Sequence, residues 1–458
     1  MGATRILATF VVDTAFDDIP PQAVRIAKNH ILDSLGVAFA ASVHPVGRIA
    51  QSYARAQGGT PECHVIGAGF QTAAPIAAFA NAMQAHGLDF DDTWLPEGHP
   101  TAPILHATLP LAEREGLPGR DALAAYILGL EVACKLSGAT TGEGHPRGFH
   151  GSALYGCLGA TAAAARLLRL DTQRTVMALG TAASAAGGLG VQHGTMTKPF
   201  HMANTAWNGV TCALLAQEGF TSVDGIIESP HGFADVFLGE GGMDFHQITT
   251  NLGNPYHIIS PGIALKKYAC CYIHHRTLDA VLGLVRRHHL RYDDIAQVEV
   301  FVPRHQYNSH YNPTPETGLR GKFSINFVVA AAIYYGNVPR DAFLDDVVTS
   351  PELRGAIQKV KITIDERIPH QYPQAYNPVR LRLADGRELF NRVDVPYGHW
   401  GNPLSREDLL AKFRDNARLV LPGPQVERAI DLVDHLDELP TIRDLMALLA
   451  AQRDPVPA

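Results

Sequence analysis

The feature that most constrains the fold of this chain is a series of apolar segments rich in alanine, glycine and leucine. Three of them read ALAAYILGLEVACKLSG (122–138), GCLGATAAAARLLRLD (156–171) and RTVMALGTAASAAGG (174–188). Small residues along a helix surface allow two helices to approach closely. Since apolar residues also recur at helical spacing, we predict that residues 19–268 form a succession of packed helices.

After residue 271 the pattern becomes mixed. HHRTLDAVLGLVRRHHL predicts an amphipathic helix, whereas IAQVEVFVP, KVKITIDE and NPVRLRLADGRELFNRV alternate as strands do, with Asp385-Gly386 as a hairpin turn. Helix returns at SREDLLAKFRDNARL, which begins at Ser405. We predict a mostly α fold with an α+β insert: a helical domain of residues 1–268 and 396–458, and a smaller domain of residues 269–395.

Charge and cysteine content narrow the class of protein. The formal charge is −7 with no long basic run, which argues against binding to nucleic acid or to an acidic membrane surface. No apolar stretch reaches the roughly 20 residues of a membrane span. The six cysteines form no CxxC pair, so we expect buried, reduced thiols and a cytoplasmic protein.

One segment is dense in ionisable side chains. HGLDFDDTWLPEGHP (86–100) holds Asp89, Asp91, Asp92, His86 and His99 within fifteen positions. Carboxylates and imidazoles can bind a metal, but their spacing matches no tight zinc motif. Proton transfer and a solvated turn are the other interpretations, and the residues alone favour the solvated turn.

Four further segments carry polar groups that could do chemistry. His150 lies in RGFHGSALYG, Lys198 and His201 in HGTMTKPFHMANTAWNG, Lys266 and His275 in LKKYACCYIHH, and Tyr307, His310 and Tyr311 in YNSHYNPTPETGLRGKFS. Taken singly, each is more commonly structural or exposed. A lysine that is partly buried at the start of a helix can instead bind an anion.

Together these segments resemble motifs of the MmgE/PrpD family, both in their residues and in their order along the chain. The resemblance rests on AKNHILDSLGVAFA, LDFDDT followed by HPTAPILHATLPLAE, GFHGS, GTMTKPFHMANTAWNGVTCALLAQEGFT, LKKYACC, KFSINFVVAAAI and GHWGNPLSREDLLAKF. It implies a homodimer whose subunits each have a large helical domain built from both chain ends and a smaller α+β lid. It also implies 2-methylcitrate dehydratase, cis-aconitate decarboxylase or iminodisuccinate epimerase activity, generally without a cofactor or metal.

The resemblance also indicates which residues form the site. Matching the motifs position by position carries over Asp89, Thr93, His99, His150, Lys198, Lys266, His275 and Tyr311, with Tyr307 as the alternative to Tyr311. These activities share a carbanion formed next to a carboxylate, which fixed donors and cations must stabilise. We hypothesise that His99 is the general acid/base, oriented by Asp89, and that His150 donates a proton from the opposite side. Lys198 and Lys266 would bind carboxylates, and Thr93 and Tyr311 would position the substrate.

Asn204 is a further candidate for substrate binding and bears on the choice of substrate. It stands where many relatives have an arginine, and loss of that planar cation weakens the case for a third substrate carboxylate. We expect a lyase acting on a small di- or tricarboxylic acid. The alternative is an epimerase of an imino- or amino-dicarboxylate that removes and returns a proton, and a remoter one is a non-catalytic dimeric binding protein. The roles of Asp91 and Asp92 stay open.

Overall fold

Helices dominate the first half of the computed structural model, which describes residues 1–94, 98–141, 147–369 and 374–450. They are Ala3–Asp13 (α1), Pro21–Ser42 (α2), Pro45–Gln57 (α3), Ala74–His86 (α4), Thr101–Arg114 (α5), Gly119–Gly138 (α6), Gly151–Leu167 (α7), Thr172–Ala185 (α8), Thr197–Gln217 (α9), Phe233–Leu238 (α10) and Phe245–Thr249 (α11). Among the described residues, no helix combines the length and apolarity that crossing a membrane requires.

The small residues bring these helices into close contact, as the sequence predicts. Gly129 of α6 and Gly159 of α7 face each other, and a Cβ atom on either would lie 2.6 Å from the other's carbonyl oxygen. An alanine at either position would therefore push the two backbones apart.

The second half of the chain mixes helices and strands. Its helices are His275–Arg287 (α12), Arg304–His310 (α13), Gly318–Gly321 (α14), Ile325–Tyr335 (α15), Asp345–Val348 (α16), Pro351–Ile357 (α17), Arg406–Ala417 (α18), Gly423–Asp434 (α19) and Arg443–Ala450 (α20). The strands of the described residues, numbered from the start of the chain, are Cys63–His64 (β1), Gln71–Thr72 (β2), Asp92–Thr93 (β3), Ala264–Leu265 (β4), Ile295–Val302 (β5), Val360–Ile364 (β6), Val379–Leu383 (β7) and Glu388–Asn391 (β8).

Four strands of the insert form one sheet in the order β6-β5-β7-β8. The β5–β6 pair is parallel, whereas β5–β7 and β7–β8 are antiparallel. Gly386 has a φ of 89°, so the predicted hairpin turn between β7 and β8 is confirmed. The predicted start of α18 is confirmed too, because Ser405 Oγ accepts a hydrogen bond from the Asp408 backbone N–H. The mostly α fold with an α+β insert is thus confirmed.

Two buried apolar cores organise the chain. One combines residues between Ala3 and Leu265 with residues between Leu409 and Leu449, so the C-terminal helices pack onto the N-terminal ones. The other is built mainly from residues 268–383. Helix α2 contributes to both, since Phe39 lies in the first core and Val37 in the second. The predicted domain boundaries stay a prediction, and residues 451–458 lie outside the described residues.

The helical part also contains short strands that the sequence pattern misses. Strands β1 and β2 pair with each other, as do β3 and β4, and each is two residues long. Two residues are too few to produce the alternation by which a strand is recognised. The β3–β4 pair matters most, because it positions the candidate site.

Candidate active site

The β3–β4 pair brings the acidic segment after α4 against the segment that contains Lys266. The strands are antiparallel, with Asp92 opposite Leu265. Lys266 follows β4 directly, and its Nζ lies 2.9 Å from Oδ2 of Asp89. The same Nζ donates a hydrogen bond of 3.0 Å to the backbone carbonyl of Asp89. Two segments 177 positions apart therefore meet at one carboxylate.

A second lysine reaches the same carboxylate from the first turn of α9. Lys198 Nζ lies 2.6 Å from Asp89 Oδ1. It is also 2.7 Å from Nε2 of His86 and 3.4 Å from Nε2 of His99. Lys198 and Lys266 are both buried, so their ammonium groups are shielded from water. Lys198 thus joins the carboxylate to two imidazoles.

Asp89 is held in an unusual backbone conformation and in its charged form. Its φ is 50°, a region that non-glycine residues seldom adopt and that is often found at functional sites. Burial favours the neutral acid, but Lys198 and Lys266 outweigh it and hold the pKa of Asp89 well below its usual range. Burial likewise opposes the charge of Lys266, yet Asp89 and Asp91 raise its pKa. The Lys198 and Lys266 ammonium groups together carry more positive charge than the single Asp89 carboxylate neutralises. The excess positive charge could attract an anionic ligand.

The expectation of a solvated turn, favoured by the residues alone, is wrong. Asp89, Asp91 and Asp92 are only 5%, 0% and 2% exposed. Leu88 and Phe90 lie next to these aspartates in the sequence and are part of the core of the α+β insert. Their burial in that core keeps the acidic segment away from solvent. Burial of this kind depends on residues far away in sequence, so composition could not indicate it.

Asp91 and Asp92 orient neighbouring groups. Asp91 Oδ2 lies 2.8 Å from Nδ1 of His86, so the carboxylate fixes that ring. Asp92 Oδ2 accepts a hydrogen bond of 2.6 Å from the Thr101 hydroxyl in the first turn of α5. Burial raises the pKa of both carboxyls. These contacts indicate positioning roles.

The contacts of His99 define its tautomer. Nδ1 lies 2.7 Å from the backbone carbonyl of Asp92, which can only accept, so Nδ1 carries the proton. Nε2 is then the unprotonated nitrogen that faces Lys198. Burial and the charges of Lys198 and Lys266 lower the pKa of His99 well below its usual value. The His99 backbone N–H donates to Ser152 Oγ at 2.9 Å. The ring is thus held with a basic nitrogen toward the lysine.

His150 lies close to the imidazole rings of His86 and His99. It immediately precedes α7, and its ring centroid lies 6.4 Å from that of His99 and 6.3 Å from that of His86. Its Nδ1 is 3.1 Å from Nδ1 of His201, so one of these two nitrogens must carry a proton. Burial lowers the pKa of His150 well below its usual value and that of His201 to about 4. At Gly188 a Cβ atom would lie 3.0 Å from the His201 ring, so glycine permits this packing.

The structure therefore brings five predicted site residues into one buried group. We call the following residues the lysine–histidine cluster: His86, Asp89, His99, His150, Lys198 and Lys266. The predicted orienting contact between Asp89 and His99 is replaced by another arrangement, since Asp89 binds the two lysines and the Asp92 carbonyl orients His99. The catalytic roles stay a prediction.

Thr93 and His275 are not members of this cluster, and each makes contacts of its own. The Thr93 hydroxyl donates to the Gly98 carbonyl at 3.4 Å, which joins the two described ends of the acidic segment. The His275 ring is fully buried between Tyr268 and Tyr272, with centroid distances of 5.2 and 4.9 Å. Burial lowers the pKa of His275 to about 3.

Tyr311 and its alternative, Tyr307, lie against each other. Their rings stack with centroids 4.6 Å apart and planes inclined by 14°. Tyr311 is 42% exposed. Within the described part of the chain, neither ring contacts the lysine–histidine cluster, so a substrate would have to extend toward them.

Asn204 faces away from the cluster. It lines an apolar groove with Phe200, Trp207 and side chains of α3 and α4. Residues 200, 204 and 207 share one face of α9, whereas Lys198 and His201 point from the other. The structure thus places Asn204 in an apolar groove and away from the lysines.

Sequence reasoning assigned no role to two groups that shape the cluster. His86 was visible in the acidic segment, yet only the fold reveals that Lys198 contacts its Nε2. Lys412 of α18 donates hydrogen bonds of 2.8 and 2.7 Å to the backbone carbonyls of Phe90 and Lys266. It thereby ties together the two segments that carry Asp89 and Lys266. Lys412 lies in an ordinary polar helix pattern, so no sequence signal marked it.

A metal interpretation of the acidic segment has a geometric basis. His86, Asp91 and His99 offer ligand atoms within 4.8 Å of one another. However, the Lys198 ammonium group already faces Nε2 of both histidines, at 2.7 and 3.4 Å. A metal ion there would have to displace that cation, so this arrangement favours proton transfer.

Two family models match the chain. Residues 5–246 match the MmgE/PrpD N-terminal domain, and residues 268–438 match the MmgE/PrpD C-terminal domain. Together the two models span most of the sequence.

Several named relatives resemble the chain over nearly its full length. It is 30% identical to the cis-aconitate decarboxylase of Mus musculus, over 93% of this chain and 89% of that protein. It is 29% identical to the cis-aconitate decarboxylase of Homo sapiens, over 99% and 95% of the two chains. The cis-aconitate decarboxylase of Aspergillus terreus is 27% identical, over 98% and 96%.

Proposed function

Since the chain belongs to the MmgE/PrpD family, we propose that it is a lyase that decarboxylates a small tricarboxylic acid of the cis-aconitate type. The names of its relatives favour decarboxylation over dehydration and epimerisation. The observation that carries the proposal is the convergence of two buried lysines and an unprotonated imidazole nitrogen on one site.

The charges of the cluster suit a substrate with several carboxylates. Lys198 and Lys266 face a single firmly ionised carboxylate, Asp89, so an entering anion meets a net positive field. Because the lysines are buried, their attraction for that anion is weakly screened by solvent. The lysines would also stabilise the charge that spreads onto the remaining carboxylate during the reaction.

The chemistry needs one bond broken and one proton delivered. The bond between carbon and the departing carboxyl group breaks, CO2 leaves, and the electron pair passes into the adjacent unsaturated acid. A proton then adds to carbon, so the reaction takes up one proton from solvent for each CO2 released. We assign this proton to His99 or His150. Burial and Lys198 lower the pKa of both imidazoles, and a bound polyanion would offset Lys198 and favour uptake of the proton.

We further propose that the reaction requires no cofactor and that the protein is cytoplasmic. The first proposal is supported by Lys198, which supplies the positive charge that a metal would otherwise provide between the imidazoles. The location is supported by the six cysteines, which are all free.

We also propose that the protein is a homodimer. An apolar surface on α3 and α9 supports this, since Ile49, Tyr53, Phe200 and Trp207 are 55%, 45%, 42% and 37% exposed. Contiguous exposed apolar side chains commonly mark a protein interface. Analytical ultracentrifugation should give a dimer for the wild type and a monomer for the Phe200→Asp/Trp207→Asp variant. Phe390→Asp is the control, because Phe390 is 62% exposed on β8. A monomeric wild type would disprove the proposal.

Proton NMR in deuterated water tests the proposed reaction most directly. The enzyme is incubated with cis-aconitate, citrate, methylcitrate and iminodisuccinate in parallel. We expect cis-aconitate to lose CO2 and to give an unsaturated dicarboxylate that carries deuterium at the protonated carbon. The Lys198→Met/Lys266→Met variant should give no product.

Other outcomes would identify a different function. Loss of water from citrate or methylcitrate alone would indicate a dehydratase. Deuterium exchange in iminodisuccinate without loss of a group would indicate the epimerase alternative. No exchange or conversion of any of the four acids would contradict the proposed enzyme and favour a binding protein.

A further inference from the structure

A second group of ligand-type side chains lies in the α+β insert, outside the lysine–histidine cluster. It consists of Cys271, His274 and His310. We propose that these three residues bind a divalent transition-metal ion of the zinc class. The proposal does not depend on the decarboxylase function, since none of the three is needed for the chemistry assigned above.

The distances match those of a tetrahedral zinc site. The ligand atoms of the three residues all lie within 4.8 Å of one another, and Cys271 Sγ is 3.6 Å from His310 Nε2. Typical zinc–sulfur and zinc–nitrogen bonds of about 2.3 and 2.0 Å, at a tetrahedral angle, give a sulfur–nitrogen separation of roughly 3.5 Å. Only a small movement would bring the third ligand into place.

His274 provides the second observation. Its side chain is 0% exposed, and neither ring nitrogen makes a well-formed hydrogen bond among the described residues. The Phe323 backbone is the one hydrogen-bonding group beside this ring among the described residues, so at least one ring nitrogen lacks a partner. A buried ring nitrogen without a partner is costly in free energy, and coordination to a metal would remove that cost.

His310 is already oriented as a metal ligand. It ends α13, and its Nδ1 lies 2.7 Å from the hydroxyl of Ser309, which in turn donates to the carbonyl of His305. A metal-bound histidine commonly uses its other nitrogen in such a hydrogen bond. Nε2 therefore points toward Cys271 with its position fixed.

The backbone also fixes Cys271. Its N–H donates to the Lys322 carbonyl at 3.0 Å, and the short 3-10 turn Tyr272–His274 follows immediately. Cys271 and His274 thus come from one turn, and His310 comes from a separate helix. A hydrogen bond between the Cys271 thiol and His310 would explain that pair but would give His274 no side-chain hydrogen bond among the described residues.

Three protein ligands leave one coordination position open. The ion would be near the lysine–histidine cluster, because the charges of Asp89 and Lys266 act on the Cys271 thiol. Binding would release the thiol proton, so the affinity for metal should decrease as the pH falls.

Cobalt spectroscopy on the full-length protein tests the site. Co²⁺ alone is added to metal-free protein, and both stoichiometry and the near-ultraviolet thiolate-to-cobalt band are measured. We expect one Co²⁺ per chain with this band, and displacement by one equivalent of Zn²⁺. Cys271→Ser should abolish the band and weaken binding by more than about 100-fold, beyond the usual effect of losing an outer-shell partner.

Matched variants separate this site from its alternatives. Cys270→Ser should keep the band, because Cys270 is the adjacent buried cysteine outside the ligand set. His310→Gln should weaken binding and serves as the second variant if circular dichroism finds Cys271→Ser unfolded. The proposal is wrong if the wild type binds no Co²⁺ at micromolar concentration. It is also wrong if Co²⁺ binds without a thiolate band, which would assign the metal to His86, Asp91 and His99.

Discussion

Lys412 and Asp33 form a buried ion pair, with Nζ of the lysine 2.7 Å from Oδ1 of the aspartate. The pair joins α18 to α2, and thus the end of the chain to its beginning. Lys412 also holds the carbonyls of Phe90 and Lys266 at hydrogen-bonding distance. One lysine therefore supports both the helical core and the backbone of the candidate site.

The first prediction concerns this lysine. Lys412→Met should lower the free energy of unfolding by about 3–5 kcal/mol, because Asp33 is left buried without its partner. Lys412→Met/Asp33→Leu should recover most of that loss, as measured by urea denaturation. Turnover should stay reduced in the double variant, since the two carbonyls still lack their donor. Full recovery of turnover would limit Lys412 to a structural role.

The second prediction concerns the proton carrier. His99→Ala should reduce kcat by about 10²–10⁴-fold, the usual contribution of general acid–base catalysis. The fold and the thermal midpoint should change little, because alanine keeps the backbone N–H that donates to Ser152 Oγ. His288→Gln, an exposed histidine at the end of α12, is the control. Near-normal turnover by His99→Ala would show that another group carries the proton.

A third prediction distinguishes the two faces of α9. Asn204→Ala should leave KM for the acid substrate unchanged within about twofold, because Asn204 lines the apolar groove and Lys198 faces the cluster. Lys198→Met should instead abolish measurable turnover. Steady-state kinetics of both variants decide this. A large rise in KM for Asn204→Ala would restore the sequence-based assignment of Asn204 to the substrate.

The sequence predicted local structure well and long-range contacts only in part. Glycine and alanine patterns predicted that these helices pack closely, as α6 and α7 do at Gly129 and Gly159, because helix contacts depend on side-chain size. The approach of Lys198 to Asp89 followed from family resemblance alone, since the two lie 109 positions apart. The burial of Asp91 and the contacts of Lys412 could not be predicted, because they depend on how distant elements pack.

The fourth prediction concerns stability at low pH. Burial lowers the pKa of His106 from 6.5 to about 3, so the folded protein keeps this imidazole neutral while the unfolded chain protonates it below about 6.5. Unfolded chains then bind more protons, and stability decreases as the pH falls from about 6.5 toward 4. His106→Gln should reduce this slope by up to about 1.4 kcal/mol per pH unit.

Urea denaturation at half-unit pH steps measures that slope. Above pH 7 the wild type and His106→Gln should differ by a constant amount, because the histidine is then neutral in both states. Equal slopes below pH 6 would contradict a neutral, buried His106. Ser34 Oγ lies 3.1 Å from His106 Nε2, so glutamine keeps a polar atom near that hydroxyl.

The contribution of α18 to the site has a consequence for synthesis on the ribosome. A nascent chain that has not yet emerged as far as residue 412 lacks the donor that joins the Phe90 and Lys266 segments. The N-terminal helices can pack early, but the candidate site is completed only after residue 412 has been translated. This site is therefore one of the last parts of the protein to be assembled during its production.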